Sequence, residues 1–492
     1  MHILLLPLDE RPCNYIYPQM IASSNHSVHL TMPPLDILPK KKISASYNKI
    51  RQYLLKEAVN QDALVISLDM LLYGGLLPSR LHHLTEDILE ERLDVLKELK
   101  TLNPHLKIYA FQCIMRCPQY NSSEEEPDYY EDYGYALFKK KFLEDKEERE
   151  TLTREEEIEK KSLHIPEEVI RDYEDRRHIN CRMNSKTLEL LQDNIIDFLV
   201  IPQDDSSPFG YTAKDQKIIL NEIKEKCLEF KVMVYPGADE VGMSLMTRAY
   251  NDYYQIHPKI YPFYASTLGP QIVPLYEDRP MFESLKSHIL VTGAKLVMDD
   301  LNANMILAVN CPGKIMQESF EKKKDVSYSS YRQLMSFVER IKDYVEEGRS
   351  VGVIDSAYAN GGDYELIRYL DHYNLLEELK GYAGWNTNCN TTGTVLSELQ
   401  VGEIHAPNTV YHLIEDVFYQ AKVRQKVIEE DLPELGLSYY DFKDKEDLVE
   451  KRIGEALLKE YRTLNISHKY PIDSIEVIMP WHRMFEIGVK FK

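Results

Sequence analysis

Eight short apolar runs recur along the chain, and each is closed by an acid, an arginine or an asparagine rather than by a bare turn. Residues 3–6 lead into Asp9, Glu10 and Arg11; 63–67 into Asp69; 106–114 into Arg116; and 198–201 into Asp204 and Asp205. Residues 232–235 lead into Asp239 and Glu240, 305–309 into Asn310, 350–354 into Asp355, and 379–383 into Asn386 and Asn388. Runs this short and this uniformly apolar read as strands buried on both faces. Helix-period segments separate most of them, such as LTEDILEERLDVLKELKTL near residue 90, whose apolar residues fall three and four apart. Strand followed by helix, repeated, predicts a parallel α/β sheet. Eight repeats with polar strand ends predict a decorated (β/α)8 TIM-like barrel whose mouth carries the chemistry. The alternative is two doubly wound sheets, split near residues 256–262.

Two stretches exceed what a single crossover needs. Residues 119–193 are densely charged and helical in spacing, and are expected to form a helical hairpin that serves as a lid or an oligomer arm. Residues 256–304 are expected to form a small subdomain within a catalytic domain spanning 1–402. From 403 to 492 the chain reads as a mostly helical extension that ends in a strand pair around Pro480, Trp481, His482 and Arg483.

Charge removes several classes of function. A formal net charge of -21 over 492 residues argues against nucleic acid or an anionic membrane as partner, since both need a basic face. The 7 cysteines are odd in number and scattered, which points to a reducing, cytoplasmic setting rather than a disulfide framework. The apolar start is too short for a secretory core, and no stretch approaches membrane-spanning length.

The densest polar strand end is DFLVIPQDDSSPFG. Pro202 lacks an N–H and is expected to end the ladder, delivering Gln203, Asp204 and Asp205 to the site. One of the two acids also suits capping of the next helix. The strand-end set contains no histidine, which disfavours zinc hydrolysis and Ser-His-Asp chemistry. The pairs Gly74-Gly75 and Gly361-Gly362 lack phosphate-loop or dinucleotide spacing. Carboxylate chemistry remains, and glycoside hydrolysis needs two carboxyls, one protonated and one ionised. Adjacent acids push each other's pKa apart. Asp205 is therefore the expected proton donor and Asp204 its partner, with Asp355, Asp239 and Glu240 as candidates for a second carboxylate. Asp9, Arg11, Asp69, Arg116, Asn310, Tyr358, Asn360, Trp385, Asn386 and Asn388 are candidates for binding a small carbohydrate. No cofactor is required. A second reading is a Mg2+- or Mn2+-dependent lyase, isomerase or hydrolase that uses the same acids as ligands. A third is a non-catalytic sugar- or polyol-binding protein. Ion pairing of Asp9 with Arg11, or of Asp69 with Arg80, and helix capping by Asn386 or Asn388 are the plain structural alternatives. A homo-oligomer is compatible with all three readings.

The segments LPLDERPCN, SLDMLLYGGLLPSR, IPQDDSSPFGYTAKDQ, YPGADEVG, DSAYANGGD, GYAGWNTNCNTTGT and MPWHRMFEI together resemble a bacterial family, the domain of unknown function DUF4127. The resemblance spans nearly the whole chain. It implies a bacterial origin and one family-length unit, and brings no activity with it. Typical members read nearer LDDRPVN in the first segment, so Glu10 departs conservatively and Asp9 is the better candidate for a fixed role.

Overall fold

The apolar runs do form parallel strands, but the sheet does not close. In the computed structural model, which describes residues 1–492, the chain separates into two compact units. One comprises Met1–Glu10, His29–Leu245 and Tyr276–Asp278; the other comprises Arg11–Val28, Met246–Leu275 and Arg279–Lys492.

The first unit is built on strands β1 (His2–Leu6), β2 (His29–Thr31), β3 (Ala63–Ser67), β4 (Lys107–Phe111), β5 (Phe198–Gln203) and β6 (Val232–Pro236). They form a six-stranded, all-parallel sheet in the order β2-β1-β3-β4-β5-β6. The chain steps outward from β1 to β2, then returns across β1 to lay down β3. That reversal leaves β2 and β6 as free edges, whereas a barrel needs every strand to step the same way until the ends meet. The sequence pattern missed β2 because its three residues are exposed or half-buried. Every residue of β3 and β5 is buried, as expected for strands with both faces covered.

Pro202 does not end β5. It pairs with Tyr235, and Gln203 continues the strand opposite Pro236. The Pro202 carbonyl accepts from the Ile114 N–H at 2.9 Å, so its missing N–H faces the β4 side just past the end of β4. The Gln112 carbonyl on that side takes the Asn184 side-chain amide instead, at 3.4 Å. A proline is tolerated where the ladder bond it removes is replaced.

The second unit repeats the plan with β7 (Lys259–Tyr264), β8 (Lys295–Leu296), β9 (Met305–Asn310), β11 (Ser350–Asp355) and β13 (Tyr382–Ala383), in the parallel order β13-β11-β9-β7-β8. The stretch 256–304, expected to be an inserted subdomain, thus supplies the first two strands of a sheet. Pro262 obscured β7 in the sequence, but it lies beyond the two-residue β8 and interrupts no ladder there. Two short ladders complete the unit: parallel β10 (Gln317–Glu318) with β12 (Tyr358–Ala359), and antiparallel β14 (Ile475–Ile478) with β15 (Gly488–Phe491). Helix Asn388–Val401 is buried at all of its residues. It lies so close to β11 that a Cβ on Gly352 would sit 3.0 Å from the Val395 side chain.

The charged stretch 119–193 forms three helices, Tyr130–Arg149, Arg154–Ser162 and Glu167–Gln192, rather than a hairpin. Tyr130, Leu137, Val169 and Tyr173 anchor it to Met115 and Cys117 just past β4. No helix of the chain is long and apolar enough to cross a membrane.

Candidate functional site

The carboxyl edge of the first sheet gathers the polar ends of three neighbouring strands. Ser67 closes β3 and caps the next helix, its hydroxyl accepting the Met70 N–H at 3.1 Å. This places Asp69 in the first turn, where an acid suits the positive end of the helix. Asp69 is 2% exposed, and one of its oxygens accepts the Cys113 N–H at 2.9 Å. Burial pushes its pKa up to about 7. Arg116 follows β4, and Asp204 and Asp205 follow β5, with Asp205 in the left-handed region at φ 46°. An aspartate tolerates that conformation better than most residues do.

Two buried arginines hold these acids. Arg80 Nη2 donates to Asp204 at 2.7 Å, and Arg116 Nη1 donates to Asp205 at 3.1 Å. Between them lies Glu126, fully buried, whose Oε1 accepts from Arg80 at 3.2 Å and from Arg116 at 2.8 Å. Glu125 spans the same two guanidinium groups at 3.3 and 2.8 Å, with its side chain 20% exposed. Burial, then the neighbouring charge of Asp204, pushes Asp205 up to about 6 against the opposing pull of Arg116 and Arg80. Its side chain keeps 24% of its exposure, so solvent and ligands reach it.

Arg80, Glu125 and Glu126 were missed as site residues in the sequence. Arg80 pairs with Asp204 and the two glutamates, whereas the sequence offered Asp69 as its partner. The glutamates sit in the run SSEEEP, which looks like any solvated charge run. Asp9 is buried beyond β1, and Asp239 and Glu240 are buried beyond β6. Glu240 turns back on its own loop, accepting the Ala238 N–H at 3.0 Å. That engagement counts against it as a second carboxylate.

The second unit holds a separate polar cluster, set by register. Asn310 and Asp355 are direct partners at the ends of β9 and β11, and the Asn310 amide donates to Asp355 Oδ1 at 2.8 Å. Asp355 Oδ2 accepts from the Tyr382 hydroxyl at 2.8 Å and from the Asp363 N–H at 2.7 Å. Asp363 in turn binds Arg332 at 2.7 Å. Burial and the adjacent Asp363 push Asp355 up to about 7. Both of its oxygens are engaged by the protein, so it fits a structural hub better than a second carboxylate, the role for which the sequence made it a candidate.

Tyr358 stacks on Tyr328, with ring centroids 4.6 Å apart. Asn360 and Asn386 take positive φ, and the Asn360 N–H donates to the Asn386 carbonyl at 2.8 Å. Asn388 is buried in the first turn of its helix, but the cap of that helix is Thr387. Trp385 is 2% exposed and meets Tyr17 and Phe485 edge-on. It belongs to the core and offers no stacking face to a sugar. Arg11 lies over Trp481 at 4.7 Å and pairs with Glu486 at 3.6 Å, which ties the start of the unit to its end.

A buried histidine lies away from the strand ends, in the second unit. His412 is 1% exposed, with Nδ1 2.9 Å from Asp416 and Nε2 3.5 Å from Glu398. Burial opposes its charge, but the two acids hold its pKa well above the usual value. The following turns, Leu413–Val423, are wound as a π-helix, a rare form that is frequent at functional sites. The signal in the sequence was His412, Glu415 and Asp416 set into an otherwise apolar run, YHLIEDVFY. In neither unit are three or more His, Cys, Asp or Glu side chains grouped so as to hold a metal ion.

A family model described as "Protein of unknown function (DUF4127)" matches residues 3–490. The chain belongs to the DUF4127 family. A search of curated proteins found no match. In this DUF4127 member, both the arginine-held acids and the Asn310–Asp355 hub lie at carboxyl edges of parallel sheets, where open α/β folds place their ligands.

Proposed function

We propose that the first unit is a glycoside hydrolase-like enzyme that acts on a small or amino-sugar-containing glycoside. Asp205 donates the proton to the leaving oxygen, and Asp204 is the second carboxylate. The observation that carries this reading is a reachable carboxyl, Asp205, whose pKa is pushed up to about 6 beside a second carboxyl that has its own arginine. A general acid works best with a pKa close to the working pH, and burial next to a like charge moves Asp205 towards it. Arg80 and Arg116 fix the two side chains in place, and orientation of this kind contributes to rate. The reading rests on the carboxyls alone, because the open sheet offers no barrel mouth to support it. A reducing cytoplasm suits seven cysteines that are all free.

The test is turnover of a panel of aryl glycosides by EDTA-treated protein, with and without added Mg2+ or Mn2+, for the wild type and Asp205→Asn. Metal-independent turnover of one sugar class, abolished in a folded Asp205→Asn variant, supports the assignment. Full activity in that variant sinks it. Activity that appears only with metal moves Asp204 and Asp205 from proton transfer to ligation.

A further inference from the structure

A cavity of about 440 Å3 opens in the second unit beside Tyr358 of β12. Arg332 lines it with a side chain only 3% exposed. Its Nε donates to the Tyr328 carbonyl, and its Nη1 donates to Asn310 and Asp363. Nη2 makes no hydrogen bond within the protein, although a buried guanidinium group ordinarily satisfies its donors.

Lys324 stands on the same wall, its Nζ 4.1 Å from the centre of the Tyr358 ring. It donates only to the Glu318 and Ser319 carbonyls and makes no direct ion pair, although Glu321, Asp363 and Glu318 lie within range of its charge. A third source of positive potential is the start of helix Leu334–Glu346. Leu334 and Met335 line the cavity, and the helix has neither a side-chain cap nor an acid in its first turn. Its first-turn N–H groups and its dipole therefore lack compensation from the helix's own side chains at the edge of this space. The two acids on the wall are engaged: Asp325 accepts the Ser327 N–H, and Glu365 accepts the Tyr369 hydroxyl. Two apolar side chains also line the space and remain open to solvent, Val326 at 75% exposure and Met335 at 54%.

We propose that this cavity binds a small organic anion, a carboxylate or a phosphate monoester. Its charged group sits between Arg332, Lys324 and the first-turn amides, and its apolar part lies over Val326 and Met335. The site is independent of the Asp204–Asp205 chemistry.

Isothermal titration of the full chain with phenyl phosphate, benzoate and uncharged benzamide tests this. At least one of the two anions binds, and which one does distinguishes phosphate from carboxylate. Benzamide binds at least about tenfold more weakly, the size expected for losing a charge-assisted bond. Lys324→Gln removes one cation, and Met335→Glu puts a like charge on the wall at an exposed position that leaves folding intact. Each weakens binding about tenfold. No binding of either anion at about 10 mM, equal binding of benzamide, or wild-type affinity in both variants overturns the proposal.

Discussion

Glu126 and Glu125 join the same two arginines, and burial alone should set their worth apart. Glu126 is fully buried and accepts from Arg80 and Arg116 with one oxygen; Glu125 does the same from a side chain that is 20% exposed. Glu126→Gln keeps the shape but removes the carboxylate charge from two ion-paired bonds, a loss of about 1–1.5 kcal/mol each. The two guanidinium groups keep Asp204, Asp205 and Glu125 as counter-charges, so the total stays below the upper end of the range of about 3–5 kcal/mol for a broken buried pair. The expected cost is about 2–4 kcal/mol for Glu126→Gln. For Glu125→Gln it is about 1 kcal/mol or less, because solvent screens that side chain.

A global denaturation curve would mix the two units, so the readout should be local. Native-state hydrogen exchange at the Gln112 and Ile114 amides, which donate to the Val200 and Pro202 carbonyls, reports on this corner of the first sheet. At 1.36 kcal/mol per decade, Glu126→Gln should speed exchange there about thirty- to a thousandfold. Glu125→Gln should change it about fivefold or less. If the two variants have equal effects, or Glu125→Gln has the larger one, burial does not govern this network and the argument fails.

Asp69 gives a stability test with a definite sign. Its folded pKa is raised from 3.8 to about 7, so the folded state holds a proton that the unfolded chain releases. The stability of the first unit therefore falls as pH rises from about 4 through about 7, by up to about 4 kcal/mol, and Asp69→Asn flattens that slope; native-state hydrogen exchange at the Gln112 and Ile114 amides, compared at pH 5 and pH 8 after correction for the intrinsic pH dependence of exchange, reads the difference. The general-acid role requires kcat/KM to fall as pH rises through about 6. Asp204→Asn removes the charge that lifts Asp205, so in its residual activity that alkaline limb moves to lower pH; an unmoved limb removes Asp205 as the titrating acid. Gly362→Ala would place a Cβ 2.7 Å from the Tyr382 hydroxyl oxygen and 2.9 Å from Asp355. It should destabilise by about 1–3 kcal/mol through overpacking, measured as faster native-state hydrogen exchange at the Asp363 and Ser356 amides, which donate to Asp355 and to the Asn310 carbonyl.

Strand positions and strand-end residues were legible in the sequence because burial on both faces leaves an uninterrupted apolar run, and a run must stop where polar chemistry begins. Ala63–Ser67 and Met305–Asn310 are such cases, and Asp69 and Asn310 stand where the pattern placed them. Closure was not legible. It turns on where β2 and β8 lie, and those strands have three and two residues, too short to carry a period. The alternative of two doubly wound sheets needed only the same runs and two reversals of direction, and those reversals are what the structure contains.

The partners of the site residues were harder to read than the residues themselves, for a physical reason. Composition cannot separate Glu126, fully buried between two arginines, from Glu124 two places before it, which joins Lys41 from a partly exposed position. The distinction comes from Tyr130 and Tyr173, which anchor the charged helices beside Cys117 and so bring 125 and 126 to Arg116. A stretch that resembles a solvated face along its length thus supplies the counter-charges of the site at its first turn. The acids of the strand ends are set by the sheet. The arginines that hold them are bridged by the two glutamates a long insertion carries in, and that depends on apolar anchors spaced 43 residues apart in sequence, from Tyr130 to Tyr173.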